Sequence, residues 1–221
     1  MRNSWWKILC VVLLAYTVIG GFLLPVPARH ILNETIRNLY FHVPMWFSMM
    51  ILFGYSFYYS LMYLRKNDLE LDIKAVSFLK VGVVFSCLGM ITGMEWAKYT
   101  WGEPWSNDPK QLATAICMLS YFAYLILRGG IKDEEKRAKI AAVYNVFAFA
   151  LMIPLLFVLP RLVDSLHPGN GGNPAFSNYD LDSKMRLVFY PAVLGWYLLG
   201  LWISTLYIRT NVLRYKKENT F

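Results

Sequence analysis

Six apolar runs, each long enough to cross a bilayer as a helix, constrain the fold of this chain more than any other feature. A helix needs about 20 residues to cross about 30 Å of hydrocarbon. Backbone exposed to lipid must satisfy its own hydrogen bonds, which excludes open sheets. We therefore predict an all-α integral membrane protein with six transmembrane helices. The predicted spans are residues 8–25, 43–64, 75–94, 111–127, 140–159 and 187–208.

The composition agrees with a membrane protein, since 57% of the residues are hydrophobic and only 16% are charged. Pro25 and Pro27 follow the first run where a signal peptide would carry an Ala-x-Ala cleavage site, so we expect a retained helix. No linker, internal repeat or low-complexity tract divides the sequence. We therefore predict a single six-helix domain over residues 1–221.

The net charge of +8 comes from basic residues that lie mainly between the apolar runs. Segments on the side of the two termini carry about twice as many of them as the opposite segments, so the positive-inside rule predicts that both termini are cytoplasmic. This distribution excludes a nucleic-acid partner, because no basic domain stands outside the runs. The loop 127–140 has no nucleotide-binding glycine pattern, which argues against an ATPase.

The three outer segments hold all three histidines and the unusual stretch "TWGEPWSNDPKQ". His42 lies where the first outer segment enters the second helix, and His167 lies just beyond the fifth helix. His30 lies in a polar loop between prolines and is expected to be exposed to solvent. The predicted outer segments are residues 26–42, 95–110 and 160–186.

Two histidines on different helices, beside a tryptophan-rich segment, allow two readings. Neutral imidazoles on opposite faces of a porphyrin would give six-coordinate haem, with tryptophan rings against the macrocycle and basic side chains on its propionates. Alternatively, histidines and aromatic rings collect at membrane interfaces without any ligand. The second reading is favoured for Trp46, Trp196 and Trp202, and the residues alone leave both readings open.

Three motifs occur in order on this six-helix plan: "RNLYFHVPMW", "ITGMEWAKYTWGEPWSNDPKQLATAI" and "LVDSLHPG". They resemble the haem-handling proteins of cytochrome c biogenesis, and most closely the CcmC family, named for haem exporter protein C. The resemblance covers nearly the whole chain. The length of this chain and its number of helices are similar to those of CcmC rather than to those of the larger CcmF-type haem lyases and CcsA.

The resemblance implies that haem b is held at the periplasmic side of the bacterial inner membrane. It also implies delivery of haem to the periplasmic chaperone CcmE, with an ABC-type partner, CcmAB, and a small membrane subunit, CcmD. The implied axial ligands are His42 and His167, and Arg37 is the implied partner of a haem propionate. The remaining implied binding residues are Trp96, Trp101, Gly102, Trp105, Asp108 and Lys110.

The sequence departs from the family at Asn107, where the tryptophan-rich motif usually has another tryptophan, and Pro109 precedes Lys110. Either haem is held less tightly, or Tyr99 or Trp96 compensates. Asp108 is expected to cap the fourth helix or to orient the segment for haem delivery. His167 is expected to be the ligand that releases first, because Pro168 and the glycines at 169, 171 and 172 follow it.

Two further functions compete with haem delivery. A cytochrome b-type membrane anchor for electron transfer usually has histidines within its helices, and this chain has none at mid-membrane depth. A haem permease needs polar or small residues along a path through the bilayer, and the runs offer few. Whether the protein catalyses attachment of haem to a chaperone or only presents it stays open.

Overall fold

A computed structural model describes residues 4–28, 31–167 and 181–218, and every regular element in these ranges is helical. The long helices are α1 (Trp5–Leu23), α2 (Leu39–Lys66), α3 (Leu69–Trp101), α4 (Pro109–Gly130), α5 (Glu134–Ile153) and α7 (Ser183–Glu218). A 3₁₀ turn, Asn33–Asn38, precedes α2, and a π-helical turn, Pro154–Val158, joins α5 to the short α6, Leu159–Leu162. Six helical segments are long and apolar enough to cross a membrane, which confirms the predicted fold class. The orientation of the termini stays a prediction.

The helices extend beyond several of the predicted spans, because polar residues outside the hydrocarbon continue the backbone hydrogen-bond pattern. The third helix covers Leu69–Trp101 where 75–94 was predicted, and the last covers Ser183–Glu218 where 187–208 was predicted. Aspartate side chains accept backbone N–H groups at the N-termini of α3, α4 and α5 and so set where these helices begin. These capping residues are Asp68, Asp108 and Asp133.

The tryptophan-rich segment, residues 95–110, is therefore only partly a loop, which corrects the expectation for this segment. Trp96 and Trp101 belong to the last turns of α3, which ends at Gly102. The non-helical part runs from 102 to 108, since α4 begins at Pro109. Trp96 and Trp101 therefore lie on a rigid helix, because each added helical residue contributes a backbone hydrogen bond.

Helix α2 lies at the centre of the bundle and packs against α3, α5 and α7, while α1 packs on α7 and α4 on α5. A short connection joins α2 to α3, in which Asn67 adopts a left-handed conformation with φ of 52°. The two helices are consequently antiparallel neighbours. Their interface forms the main hydrophobic core, where Leu52, Phe53, Leu79 and Phe85 are buried.

Polar side chains also tie the helices together. Asn145 in α5 donates hydrogen bonds to Ser56 and Ser60 in α2, and the Ser56 hydroxyl donates to the carbonyl of Ala75 in α3. Polar groups away from water need such partners, and these bonds fix the rotation of α5 against α2.

One end of the bundle, called the histidine end below, contains the C-terminal ends of α1 and α3 and the N-terminal ends of α2, α4 and α7. Here the Arg37 guanidinium donates to the carbonyls of Gly21 and Leu24 at the end of α1, at 2.8 and 2.7 Å. The Asn38 amide donates to the carbonyl of Thr92 in α3, at 2.9 Å. The start of α2 is therefore connected to both α1 and α3.

The close contact of α2 with α3 depends on Gly82. A Cβ atom at this position would lie 2.6 Å from a ring carbon of Phe53, whereas a Cβ atom at Gly54 would meet Phe149 at an ordinary 3.9 Å. We expect Gly82→Ala to destabilise the protein by about 1–3 kcal/mol through overpacking. Thermal unfolding in detergent tests this, with Gly54→Ala as the matched control. Equal melting temperatures for the two variants would contradict the assignment.

Candidate functional site

His42 lies in the first turns of α2, and its ring is held against α3. Its Nδ1 atom lies 3.0 Å from the carbonyl oxygen of Gly89 and 3.2 Å from the hydroxyl oxygen of Thr92. A carbonyl oxygen can only accept a hydrogen bond, so we infer that Nδ1 carries the proton and donates it. The lone pair of the neutral ring is therefore on Nε2.

Two glycines one turn apart on α3 make room for two rings one turn apart on α2. A Cβ atom at Gly93 would lie 2.6 Å from Cε1 of His42, and one at Gly89 would lie 2.8 Å from Cε2 of Trp46. The indole N–H of Trp46 donates to Nε2 of His42 over 3.3 Å. The position of His42 thus depends on small residues that allow the two helices to approach closely.

Asp108 caps α4 and also holds the segment that carries His167. Its carboxylate accepts the backbone N–H of Lys110 at 2.9 Å and that of Leu166 at 2.7 Å. The Ser165 hydroxyl donates to both carboxylate oxygens, and Nδ1 of His167 lies 2.8 Å from Oδ1. Four groups thus donate to one carboxylate, which is only 4% exposed.

These hydrogen bonds decide the charge state of Asp108. Burial raises the pKa of the carboxyl group, but the bonds from His167, from the Leu166 backbone and from Ser165 outweigh it. The pKa of Asp108 consequently lies well below its usual range, because all of these donors favour the ionised form. Asp108 is thus a carboxylate at neutral pH, and it forms an ion pair with His167 whenever that ring is protonated.

His167 has the same arrangement as His42, with Nδ1 anchored and Nε2 directed elsewhere. Among the described residues, no hydrogen bond to its Nε2 is found. Its ring packs edge-on against Trp101 with centroids 4.7 Å apart, and the ring of His42 packs edge-on against Trp96 at 5.9 Å. Trp96 and Trp101 both lie in the last turns of α3, so this helix connects the two imidazoles. The structure therefore brings His42, His167, Trp96, Trp101 and Asp108 to one end of the bundle.

The other predicted residues of the tryptophan-rich segment shape its loop. Gly102 ends α3 in a left-handed conformation with φ of 86°. The Trp105 indole donates to the side chain of Asn107 at 2.8 Å, and Asn107 itself has φ of 54°. Asparagine tolerates this conformation better than tryptophan does. Lys110 is partly buried in the first turn of α4.

Arg37 contacts a different part of the histidine end from the other predicted site residues. Its guanidinium forms an ion pair with Glu34 at 2.6 Å, in addition to its bonds to the end of α1. No described hydrogen bond connects it to His42, His167 or Asp108. A contact between Arg37 and a haem propionate therefore stays a prediction.

Several residues of the site were not predicted from sequence. The Gln111 side chain accepts from the backbone and hydroxyl of Ser106 and donates to the Pro104 carbonyl, and so fastens the loop to α4. The glycines at 89 and 93 were also missed. Their i, i+4 spacing matches that of His42 and Trp46, but only the pairing of α2 with α3 gives this match a meaning.

The site offers two imidazole nitrogens as ligands for a metal. A histidine that binds a metal usually donates its other ring N–H to a carbonyl or a carboxylate, as His42 and His167 do here. In the described ranges, no group of three or more His, Cys, Asp or Glu side chains forms a metal site. The donor set thus fits a metal that brings most of its ligands with it.

The fold and the site together define a multi-pass helical membrane protein with a paired-histidine site at one end of its bundle. The family model of CcmC, heme exporter protein C, matches residues 2–221, and the chain belongs to this family. Heme exporter protein C of Paracoccus denitrificans is 24% identical over 210 residues, covering 90% of this chain and 83% of the relative. That of Haemophilus influenzae is 23% identical over 210 residues, covering 95% and 81%.

A second group of relatives shares a shorter region. Cytochrome c biogenesis protein CcsA of a Synechococcus species is 34% identical over 82 residues, which cover 37% of this chain and 27% of the relative. The chain is thus similar to both groups, over a longer part of its length to these heme exporter C proteins than to this CcsA. This confirms the resemblance inferred from the three sequence motifs.

The bonds of Asp108 predict a pH-dependent stability. We expect Asp108→Asn to lower the free energy of unfolding at pH 7 by about 1–3 kcal/mol, because it removes the charge on four hydrogen bonds. A depressed carboxyl pKa contributes stability above the unfolded value of about 4, and this contribution is lost as pH falls through the folded pKa.

The measurement is thermal unfolding of both proteins between pH 7 and 3. The difference between wild type and Asp108→Asn should shrink as the medium becomes more acidic. Asp164→Asn, which changes an exposed carboxyl three residues before His167, serves as the control. A difference that stays constant or grows toward low pH would contradict the role given to Asp108.

Proposed function

We propose that this protein binds haem b between His42 and His167 and delivers it to a periplasmic chaperone of the CcmE type for cytochrome c maturation. The observation that carries the proposal is the shared geometry of the two histidines. Each is anchored through Nδ1, by a carbonyl at His42 and by a buried carboxylate at His167, which leaves Nε2 for a metal. The proposal also draws on the family, whose members carry the name heme exporter protein C.

The number of ligands favours haem over a free metal ion. A structural zinc site needs four protein ligands and a calcium site needs six or more oxygens. Haem iron already has four porphyrin nitrogens and needs only one or two side chains. The pair of histidines, with no further metal-binding cluster in the described ranges, meets this need.

The aromatic side chains give a second reason. Trp96 and Trp101 project from the same helix, and their rings contact His42 and His167 respectively. Flat apolar rings beside both axial positions suit a porphyrin, and each aromatic contact contributes on the order of 1 kcal/mol beyond area burial. Trp105 and Gly102 would complete this surface, and Lys110 would pair with a propionate.

The partners and the location belong to the same proposal. The histidine end would face the periplasm from the bacterial inner membrane, with both chain termini in the cytoplasm, as the distribution of basic residues favours. We propose that the chain works with an ABC-type CcmAB partner and a small CcmD subunit. The chaperone would contact the non-helical part of the tryptophan-rich segment, where Glu103 and Pro104 are exposed.

Purification of the protein with and without a CcmE-type chaperone tests this function. The wild-type protein should carry haem, recognised by its absorption spectrum, and the chaperone should retain haem after denaturation when the two are expressed together. His42→Ala and His167→Ala should each lose most of the bound haem, because each removes an axial ligand. His30→Ala is the matched control and should bind like wild type. A wild-type protein without haem in both preparations would refute the proposal.

A second test moves His42 without changing its chemistry. Gly93→Ala places a methyl group in the space that the His42 ring occupies, and we expect haem affinity to fall by about tenfold or more, as for other changes beside a metal ligand. Gly54→Ala, on the adjacent helix, controls for a general effect of adding a methyl group. Haem titration of the purified variants measures this, and unchanged affinity in Gly93→Ala would show that His42 does not bind iron in this position.

A further inference from the structure

Trp46 was expected to be an interfacial residue, but its indole contacts Nε2 of His42, one of the two ligand atoms that the proposed function requires. The N–H of Trp46 donates to Nε2 of His42 over 3.3 Å, and the two rings meet edge-on with centroids 6.0 Å apart. Since Nδ1 of His42 donates to the Gly89 carbonyl, Nε2 is the only ring nitrogen with a lone pair.

One lone pair cannot bind both partners. If iron binds Nε2 of His42, the hydrogen bond from Trp46 must break, because imidazole nitrogen has a single pair of electrons in the ring plane. The indole of Trp46 rests on Gly89, where even a Cβ atom would clash with it, so it has no room to move toward α3. It must therefore turn away from α3 when iron binds.

We infer that the indole N–H of Trp46 competes with haem iron for Nε2 of His42 and so favours release of the haem. The inference rests on the proposed function, since it concerns the same histidine. Binding would cost the hydrogen bond, and release would restore it. Within the described residues no such competitor faces Nε2 of His167. In this proposal, the hydrogen bond from Trp46 assists the breaking of the bond between iron and His42.

This order of release differs from the expectation that His167 releases first. That expectation relied on Pro168 and the glycines that follow it, all of which lie outside the described residues. Within the described residues, Nδ1 of His167 is held by the buried carboxylate of Asp108. The competitor that the described residues contain, Trp46, faces His42.

The test compares wild type with Trp46→Phe, which keeps an aromatic ring beside Gly89 but has no N–H group. Hemin titration of the full-length protein in detergent should give an affinity about twofold to tenfold higher for Trp46→Phe, the range expected for one lost competing hydrogen bond. Transfer of the bound haem to an excess of haem-free myoglobin should slow by a similar factor. Trp202→Phe, which alters a ring that contacts Trp6 instead, should behave like wild type.

The outcomes separate this inference from the function it rests on. Equal or weaker hemin binding by Trp46→Phe, with normal binding by wild type, would overturn the competition and leave the proposed function standing. If wild type binds no hemin at His42, the proposed function falls, and the inference falls with it.

A second measurement follows Trp46 in the wild-type protein. In wild-type protein labelled with ¹⁵N at tryptophan, the indole N–H signal of Trp46 should differ between the haem-free and the hemin-loaded protein, because its acceptor changes. The indole signal of Trp202, identified by its absence from the spectrum of Trp202→Phe, should shift much less. A Trp46 signal that is the same in the two states would overturn the inference.

Discussion

The buried carboxylate of Asp108 is the interaction on which the organisation of the histidine end depends. It accepts a backbone N–H at the start of α4 and, from the other side, the hydroxyl of Ser165, the backbone of Leu166 and the ring of His167. Without this carboxylate, α4 and the segment after α6 would have no described polar link at this point. The same carboxylate thus caps α4 and holds the segment that carries His167, because a side chain at a helix N-terminus faces both the helix and its neighbours. The role of Asp108 in haem delivery stays a prediction.

The second histidine is positioned by a different physical means. His42 is placed by the close approach of α2 to α3, where Gly89 and Gly93 leave space for the rings of Trp46 and His42. A Cβ atom at either glycine would clash with these rings, so the rings or the helices would have to shift. One ligand is thus held electrostatically by a carboxylate, and the other is held by steric fit with a backbone acceptor. Both arrangements have the same result, which is an anchored ring with Nε2 available for a bond.

The proposed carrier function needs ligands that are oriented but not too strong, and the two histidines would meet both needs. The anchoring of Nδ1 orients each ring, while the hydrogen bond from Trp46 occupies Nε2 of His42 in the absence of iron. The left-handed conformation of Asn107 shows a related compromise. Asn107, at the position of a usual family tryptophan, tolerates this backbone conformation. Its side chain accepts the indole N–H of Trp105 and so orders that ring, whereas a tryptophan would add a further ring.

The amino-acid sequence by itself determined the six membrane helices, because lipid requires long apolar segments with internally bonded backbone. It also determined the candidate residues His42, His167, Trp96, Trp101 and Asp108, through three motifs that resemble those of the CcmC family. Only the tertiary structure decided that Trp96 and Trp101 lie on a helix, and that Trp46 donates to His42. The reason is physical: hydropathy marks where a helix is in contact with lipid, whereas the ends of helices and the partners of a side chain depend on caps and on neighbours distant in sequence.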